Sequence, residues 1–514
     1  MIRDIRHLVR IVAIGRALAR HDALFVLEGA GALRFWVRLF GGRPRADSRG
    51  LPPGRRLAEA LQDMGPTFIK LGQTLATRSD LIGEEMAEEL SALQDRLPPF
   101  PAAEARRIVA AELDSPVERQ FLSFDDRPVA AASIAQVHFA VTAEGEEVAV
   151  KVLRPGIEER VARDVDLLAW LARWAERLVP KVRRLRLVDS VQAFQDTVDL
   201  EMDLRYEAAA AAEMADNFAD DEGFRVPAVD WQRTSRRVLT LERVRGIRID
   251  DQAAIRAAGH DIDTILAHAS NAFFNMVFRD VFFHADLHPG NLFVGEHGEV
   301  IAVDFGITGR VDATTRRFLG EMLLGFMNRD FRRVAQVHFA LGFVPPEKSL
   351  DAFTQACRSI GEPILERPMA EISIARLLGQ LFEVTETFAM RTQPQLLLLQ
   401  KTMLVAEGVG RSLNPSVNMW EVTRPLIERW MAENLGVGAR VRESVEGLVG
   451  TFEGLPRLLR DAESTVTALR EGGVRLHPDS LRALGEQRAA RAGLPQWLPW
   501  LLVAVMAALL FLRR

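Results

Sequence analysis

Cysteine is nearly missing from this 514-residue chain, which contains only Cys357. One cysteine excludes an internal disulfide framework and suits a reducing compartment. Its default reading is a small buried apolar residue, not a nucleophile. A secretory signal is missing too, because Met1–Arg20 carries Arg3, Arg6, Arg10, Arg16 and Arg20 and no uninterrupted apolar core. There is no internal repeat and no low-complexity tract, which removes repeat arrays from consideration. No G-x-G-x-x-G loop opens a helix after a strand and no iron-ligand cluster is evident, so a dinucleotide- or iron-dependent hydroxylase lacks its machinery. The net charge of −5 argues against a general nucleic-acid binder.

What is present is a globular composition, 48% hydrophobic and 26% charged, in a chain long enough for two or three units. The first arginines fall in a basic amphipathic helix suited to lying on a membrane or a protein surface. The far end differs from everything before it. Ala492–Leu512 carries no charge, and Trp497 and Trp500 stand where an interfacial belt is expected. As a helix, the stretch 494–512 would span about 28 Å, close to the hydrocarbon thickness of a bilayer. It reads as a membrane anchor. Pro495 and Pro499 shorten the usable helix and leave a buried or oligomer-forming terminal helix as the alternative. Arginines flank both ends, so charge bias leaves orientation open.

Between these ends the pattern is mixed. A Gly-, Pro- and Arg-rich linker runs from Arg43 to Arg56, and helices follow over 57–75, 83–93 and 102–113. Strands are predicted over 134–141 and 147–153 around the turn 143–146, and again over 237–242. Helices cover 157–178 and one longer stretch from Val188 to about Phe218, and the chain is mostly helical from Asp263 to about Gly450. The sum is a small β-rich lobe followed by a larger helical lobe, inside helical extensions.

The chemistry concentrates in His284-Ala285-Asp286-Leu287-His288-Pro289-Gly290-Asn291, followed thirteen residues later by Asp304-Phe305-Gly306. Leu292–Val294 and Glu299–Val303 are β-prone, and Gly295–Gly298 supplies a turn, so a hairpin returns Asp304 beside Asn291. Asn291 and Asp304 are then placed to hold Mg²⁺ against nucleotide phosphates, with Asp286 facing an acceptor hydroxyl or water. His284 and His288 lie four apart, but Pro289-Gly290 breaks any helix that could present them to zinc. Orienting Asp286 and steadying the loop is the better role for His284.

A phosphoryl-transfer site also needs a cation for the α/β phosphates. Lys151, alone in the apolar strand Val148-Ala149-Val150-Lys151-Val152, fills that need, and burying it requires a partner. Glu207 on the long helix is the obvious one. Where a kinase carries a glycine-rich loop, this chain has Ala130, Ala131, Ala132 and Ser133. The alanine Cβ atoms keep phosphate farther from the backbone, which leaves amide N–H groups and the Ser133 hydroxyl to bind it.

Lys70-Leu71-Gly72-Gln73, Ala130–Ser133 with Gln136-Val137-His138, Lys151, Glu201-Met202-Asp203, His284–Asn291 and Asp304–Gly306 together resemble the UbiB family over roughly residues 57 to 430. These are atypical protein-kinase-like membrane proteins of ubiquinone biosynthesis. The resemblance implies an α+β, two-lobed kinase-like fold with an N-terminal helical extension over the active site and a C-terminal membrane helix. It further implies ATP or ADP with Mg²⁺ as cofactors, and a regulatory set of Lys70, Gln73, Glu201 and Asp203 with Lys70 paired to Glu201. On one continuous helix Glu201 lies about 120° around from Glu207, so each can face its own lysine. Expected partners are membrane lipids, quinone-pathway intermediates and other ubiquinone-biosynthesis proteins, with a homodimer left open and nucleic acid excluded. The need for ATP puts the catalytic part on the cytoplasmic side of a bacterial inner membrane.

The expected partition is a basic segment and linker over 1–50, the extension over 51–127 and the kinase-like lobes over 128–245 and 246–435. A helical segment over 436–493 and the anchor over 494–512 complete it. No A-P-E sequence follows Gly306 and a helical pattern resumes by about Ala313, which argues against phosphorylating proteins in trans. Competing readings are a small-molecule or lipid kinase and a nucleotide-binding, non-catalytic scaffold of the quinone pathway.

Overall fold

The structure is a computed structural model that describes residues 2–27, 50–76, 82–91, 93, 97–178, 186–365, 380, 383–390, 394–414, 416 and 424–430. The expected helical segment 436–493 and the anchor 494–512 lie outside the described residues. Among the described residues no helix is long and apolar enough to cross a membrane.

The first helix, α1 (Ile2–Arg20), does lie on a protein surface, and that surface is its own chain. His7 reaches Asp166 at 3.1 Å and Arg10 reaches Asp164 at 2.8 Å, while Ala17 and Leu18 enter an apolar cluster with Ala58, Leu61, Phe68, Ile69 and Leu90. These come from α2 (Pro53–Met64), α3 (Pro66–Ala76) and α4 (Glu84–Ser91). The single helix expected over 57–75 is therefore two. Gly65 takes a left-handed φ of 101°, and Pro66 starts the next helix at a position where its missing N–H is harmless. Gly72, inside α3, is needed for close packing. A Cβ there would lie 2.7 Å from Leu61 Cδ1 and 2.8 Å from Leu93 Cδ1.

After α5 (Ala102–Glu112) the chain enters an antiparallel sheet of β1 (Phe121–Phe124), β2 (Ala130–Ala131), β3 (Ala135–Thr142), β4 (Glu147–Leu153) and β5 (Val238–Glu242), ordered β1-β3-β4-β5 with β2 added to β3. The alternation of β4 decides what each of its residues faces. Val148, Val150 and Val152 pack with Ile108, Val109 and Phe121 on one side. Lys151 points to the other side, where Leu153, Ala135 and Leu239 meet the helices α6 (Ile157–Leu178), α7 (Leu187–Glu201) and α8 (Leu204–Asn217).

Those last two helices correct the expected continuous helix from Val188 to Phe218. Asp203 leaves helical geometry at φ −117°, ψ 94° and its side chain accepts a hydrogen bond from the Arg205 N–H as the N-cap of α8. Leu204 N–H donates to Arg236 at 2.9 Å, tying the break to the strand region. Glu201 is thus the last residue of one helix, and Glu207 sits in the first turn of another.

The larger lobe contains α9 (Ile262–Phe274), β6 (Phe282–His284), the hairpin β7 (Leu292–Val294) and β8 (Val300–Ala302), β9 (Thr308–Arg310), α10 (Ala313–Met327), α11 (Phe331–Ala340), α12 (Leu350–Gly361) and α13 (Pro394–Leu413). The hairpin is antiparallel with Val300 opposite Val294, and the two-residue strands Phe224–Arg225 and Ile247–Arg248 flank it. β9 pairs with β6, with Thr308 opposite His284. Cys357 is buried among Phe331, Phe353 and Phe388, and burial pushes its thiol up to about 12, which leaves it an apolar filler.

The tight seat of Gly72 sets an expectation for variants. Ala at this position gains helix propensity of about 1 kcal/mol, which offsets much of its packing clash. Gly72→Val lacks that compensation and is expected to cost about 2 kcal/mol. Denaturant unfolding read together with proteolysis within α2–α3 checks this. An unchanged midpoint for Gly72→Val would mean that α3 does not pack on α2 this closely.

Candidate active site

The β4 alternation aims Lys151 away from the valine face, and α8 brings Glu207 to meet it. The lysine Nζ donates to Glu207 Oε1 at 2.7 Å and Oε2 at 2.9 Å, and to Asp304 Oδ1 at 2.9 Å. One ammonium thus joins the sheet, a helix of the small lobe and the turn after the hairpin of the large lobe. Burial pulls the Lys151 pKa down, but the charges of Asp304 and Glu207 outweigh it and hold the pKa above the ordinary lysine range. The Lys151 charge holds Asp304 well below the usual carboxylate range against partial desolvation, and Lys70 adds to the effect. Glu207 goes the other way, because burial pushes its carboxyl up to about 7 against the pull of Lys151. Asp304 is therefore the ionised carboxylate that stays available, with 48% of its side chain open.

Backbone bonds fix the two acidic loops against each other. Val303 N–H donates to Asn291 O at 2.9 Å, which is the return that the hairpin spacing predicts, and Ala285 N–H donates to Ile307 O at 3.0 Å. His284 is fully buried and kept neutral by that burial. Its Nδ1 accepts from the Asp286 N–H at 3.1 Å and its Nε2 donates to Val303 O at 3.2 Å, so the ring bridges both loops. His288 caps the turn by accepting from Gly290 N–H at 3.0 Å. Asn291 Nδ2 donates to Asp286 O at 3.1 Å and closes the loop. Asp304 itself has φ 64°, a left-handed conformation that costs about 1–3 kcal/mol for a residue with a Cβ and that tends to occur at functional sites.

The extension contributes to this site. Lys70 Nζ lies 2.9 Å from Glu201 Oε2, both side chains 12% exposed. The pairing follows from the helix break at Met202-Asp203, not from a 120° offset on one helix. Gln73 lies one turn beyond Lys70 on α3 and is half-buried. Asp203 binds Arg205, at 2.6 Å between Oδ2 and Nη2, and this guanidinium lowers the pKa of the Asp203 carboxyl. Its place is the cap of α8.

The alanine loop is arranged differently from expectation. Ala130 and Ala131 form the short β2 against β3, and the Ala132 N–H is engaged by Ala135 O at 2.8 Å. Ser133 is fully buried. Arg154 grips the loop from behind: its Nη2 donates to Ala132 O at 2.8 Å and its Nη1 to Pro98 O at 3.0 Å. Buried Gln136 clasps both backbone groups of Phe100, at 3.0 and 3.3 Å, and also donates to His138 Nε2 at 2.8 Å. His138, kept neutral by burial, donates through Nδ1 to Asp125 O at 2.7 Å. The Q-V-H triplet thus holds the 97–100 segment onto the small lobe.

Two side chains at the site escaped the sequence reading. Arg154 directly follows strand β4, and Lys401 on α13 stands 4.0 Å from Asp286 Oδ1. A usable signal existed for Lys401. Like Lys151, it is a single cation inside an apolar run, Leu396-Leu397-Leu398-Leu399-Gln400-Lys401-Thr402-Met403-Leu404.

A buried lysine clamped by a helix glutamate, set against an Asp–Asn loop and a hairpin-borne Asp, defines an atypical kinase-like domain. Residues 92–338 match the ABC1 atypical kinase-like domain, and residues 357–418 match the UbiB helical domain. The chain belongs to the UbiB family. It is 40% identical to the probable protein kinase UbiB of Marinobacter nauticus over 82% of this chain and 78% of that protein. It is also 40% identical to that of Azotobacter vinelandii, over 91% and 87% of the two chains. For Shewanella loihica the identity is 41%, over 79% and 76%. Among solved structures, a Mycobacterium tuberculosis protein in complex with erythromycin aligns at 25% identity and TM-score 0.49, covering 70% of this chain and 90% of that one.

The charge triad makes a pH-dependent expectation. The Glu207 carboxyl is raised from its ordinary 4.5 to about 7, so the folded protein holds that proton better than the unfolded chain. Its contribution is full below pH about 4.5 and fades as pH rises through 7. Lys151→Met removes the opposing cation and should destabilise by about 3–5 kcal/mol at pH 8. The deficit should shrink towards pH 5, as Glu207 takes up its proton. Urea midpoints across that range test the assignment, and a pH-independent deficit would point to a cause other than Glu207.

Proposed function

We propose that this chain is a Mg²⁺-dependent, ATP-binding atypical kinase or ATPase that supports ubiquinone biosynthesis at a bacterial inner membrane, with its catalytic part facing the cytoplasm. Its work is to make lipid-like intermediates accessible to the other enzymes of that pathway. The observation that carries the nucleotide reading is Lys151 held between Glu207 and Asp304, with the Asp286–Asn291 loop bonded to the strand that delivers Asp304. The donor set suits a hard cation: an ionised, half-open carboxylate at Asp304 and an amide at Asn291. Mg²⁺ held there would neutralise the phosphate oxygens and orient the terminal phosphoryl group.

Each side chain then has a definite task. Lys151 meets the α/β phosphates of ATP or ADP from the floor of the site, and Glu207 keeps it from collapsing onto Asp304 alone. His284, neutral and bonded to the Asp286 N–H, fixes the loop so that the Asp286 carboxylate can accept the proton of water or an acceptor hydroxyl. Lys70 brings the extension close enough for its charge to act on Asp304, so α3 occupies ground where a peptide substrate would lie. The strand β9 begins two residues after Gly306 and α10 soon follows, which leaves little chain for a substrate-cradling loop. Both features favour hydrolysis or a restricted acceptor over phosphorylation of proteins in trans. The charge-free segment 494–512 supplies the membrane attachment.

Ubiquinone content in cells lacking the protein, complemented with wild type or Asp304→Asn, tests the whole reading. Rescue by wild type alone is expected. Equal rescue by the variant would favour a scaffold that does not need the metal-binding carboxylate, and an undiminished quinone pool in the deletion would remove the pathway. In vitro, Asp286→Asn should keep nucleotide affinity and lower ATP turnover by about 10²-fold or more. Unchanged turnover would exclude Asp286 as the base.

A further inference from the structure

We infer that Lys401, supplied by the C-terminal helical domain, is a catalytic residue that contacts the transferring phosphoryl group from the acceptor side. The inference rests on the phosphoryl-transfer reading above. The catalytic loop His284–Asn291 contains no lysine or arginine. Lys151 is already taken up by both oxygens of Glu207 and by Asp304, and Lys70 by Glu201. Lys401 differs from both. It stands 4.0 Å from Asp286 Oδ1, beyond hydrogen-bond length, with its side chain 32% exposed. A half-exposed pair at that separation adds little to stability, so holding the fold together is a poor account of a cation at this place.

Its position is nonetheless well defined. The next residue, Thr402, is fully buried, and its single hydroxyl hydrogen is shared between Leu398 O at 2.9 Å and Ala285 O at 3.3 Å. A neighbouring pair on α13 therefore addresses the catalytic loop twice, with Thr402 on the backbone before Asp286 and Lys401 on the Asp286 side chain. A nucleophile that hydrogen-bonds Asp286 lies between this carboxylate and the phosphorus. The ammonium beside Asp286 is then within reach of the equatorial phosphoryl oxygens.

In the reaction the attacking oxygen forms a new bond to the γ-phosphorus while the bond to the β–γ bridging oxygen breaks. ADP leaves with that electron pair, and the nucleophile's proton passes to Asp286. Negative charge spreads over the equatorial oxygens, where a preformed cation acts most strongly. Lys151 would hold the nucleotide end of this charge and Lys401 the acceptor end. A compact ammonium on a flexible stem can follow the moving group without a fixed bidentate geometry.

The test uses the full-length protein and two readouts, with thermal melting as a folding check on each variant. The first is steady-state ATP turnover by wild type, Lys401→Met and Lys401→Arg. The second is the affinity for Mg²⁺·ADP with and without aluminium fluoride, a mimic of the transferring phosphoryl group. Lys401→Met should lower kcat by about 10²-fold while KM for ATP moves less than about threefold. It should also lose the fluoride-dependent tightening seen in wild type, and Lys401→Arg should restore at least part of both. Turnover of Lys401→Met within threefold of wild type would overturn the inference. So would lost turnover with full tightening retained, because that pattern marks a residue that only positions Asp286. A wild type that tightens on aluminium fluoride but does not turn over ATP would defeat the catalytic reading of the chain, while the tightening measurement would still decide the lysine contact.

Discussion

One buried ammonium holds this architecture together. Lys151 leaves the sheet on the side opposite its valine neighbours and is met by Glu207 from a helix and by Asp304 from the other lobe. Two carboxylates around one cation leave the cluster short of positive charge. The environment resolves this unevenly: Glu207, the more buried, is pushed towards neutrality, while Asp304 stays ionised and half-open. A nucleotide-bound cation would supply the missing positive charge. The same imbalance is thus what would favour loading it, since a buried charge without compensation is costly.

Around this cluster, elements foreign to an ordinary kinase lobe come within reach of the same few ångströms. The extension delivers Lys70 to Glu201, and the helical domain delivers Lys401 to Asp286. The alanine loop is tied to residues 97–100 through Arg154 and Gln136. These contacts tie the 97–100 segment directly to the alanine loop and to β3. The helix break at Met202-Asp203 makes the double pairing feasible: it separates the helix that ends at Glu201 from the one that presents Glu207.

Much of the active site was legible before any coordinates. The strand 147–153, the hairpin that returns Asp304 to Asn291 and the Lys151–Glu207 pair all follow from local rules. These are alternation along a strand, a glycine-containing turn, and the need of a buried cation for a partner. Other features were hidden because they depend on competition between local and distant bonds. Helical periodicity runs unbroken through Glu201-Met202-Asp203-Leu204, yet the Asp203 side chain prefers to cap, and Arg236 accepts the Leu204 N–H. Ser133 reads as a phosphate ligand beside three alanines, and the complete burial of its side chain next to the turn from Ala132 to Ala135 is visible only in the fold.

The sequence alone determined the kinase-like arrangement of the site, because Lys151, Asp286, Asn291 and Asp304 are placed by short-range spacing on elements whose geometry is nearly invariant. It also determined that Cys357 is inert filler and that the first helix needs an apolar surface to lie on. Tertiary structure decided which surface that is, which carboxylate of the triad keeps its charge, and which lysines from distant elements join the site. Those outcomes depend on burial and on distances between residues far apart in the chain, such as Lys151 and Asp304. No local pattern encodes such distances until the chain has closed on itself.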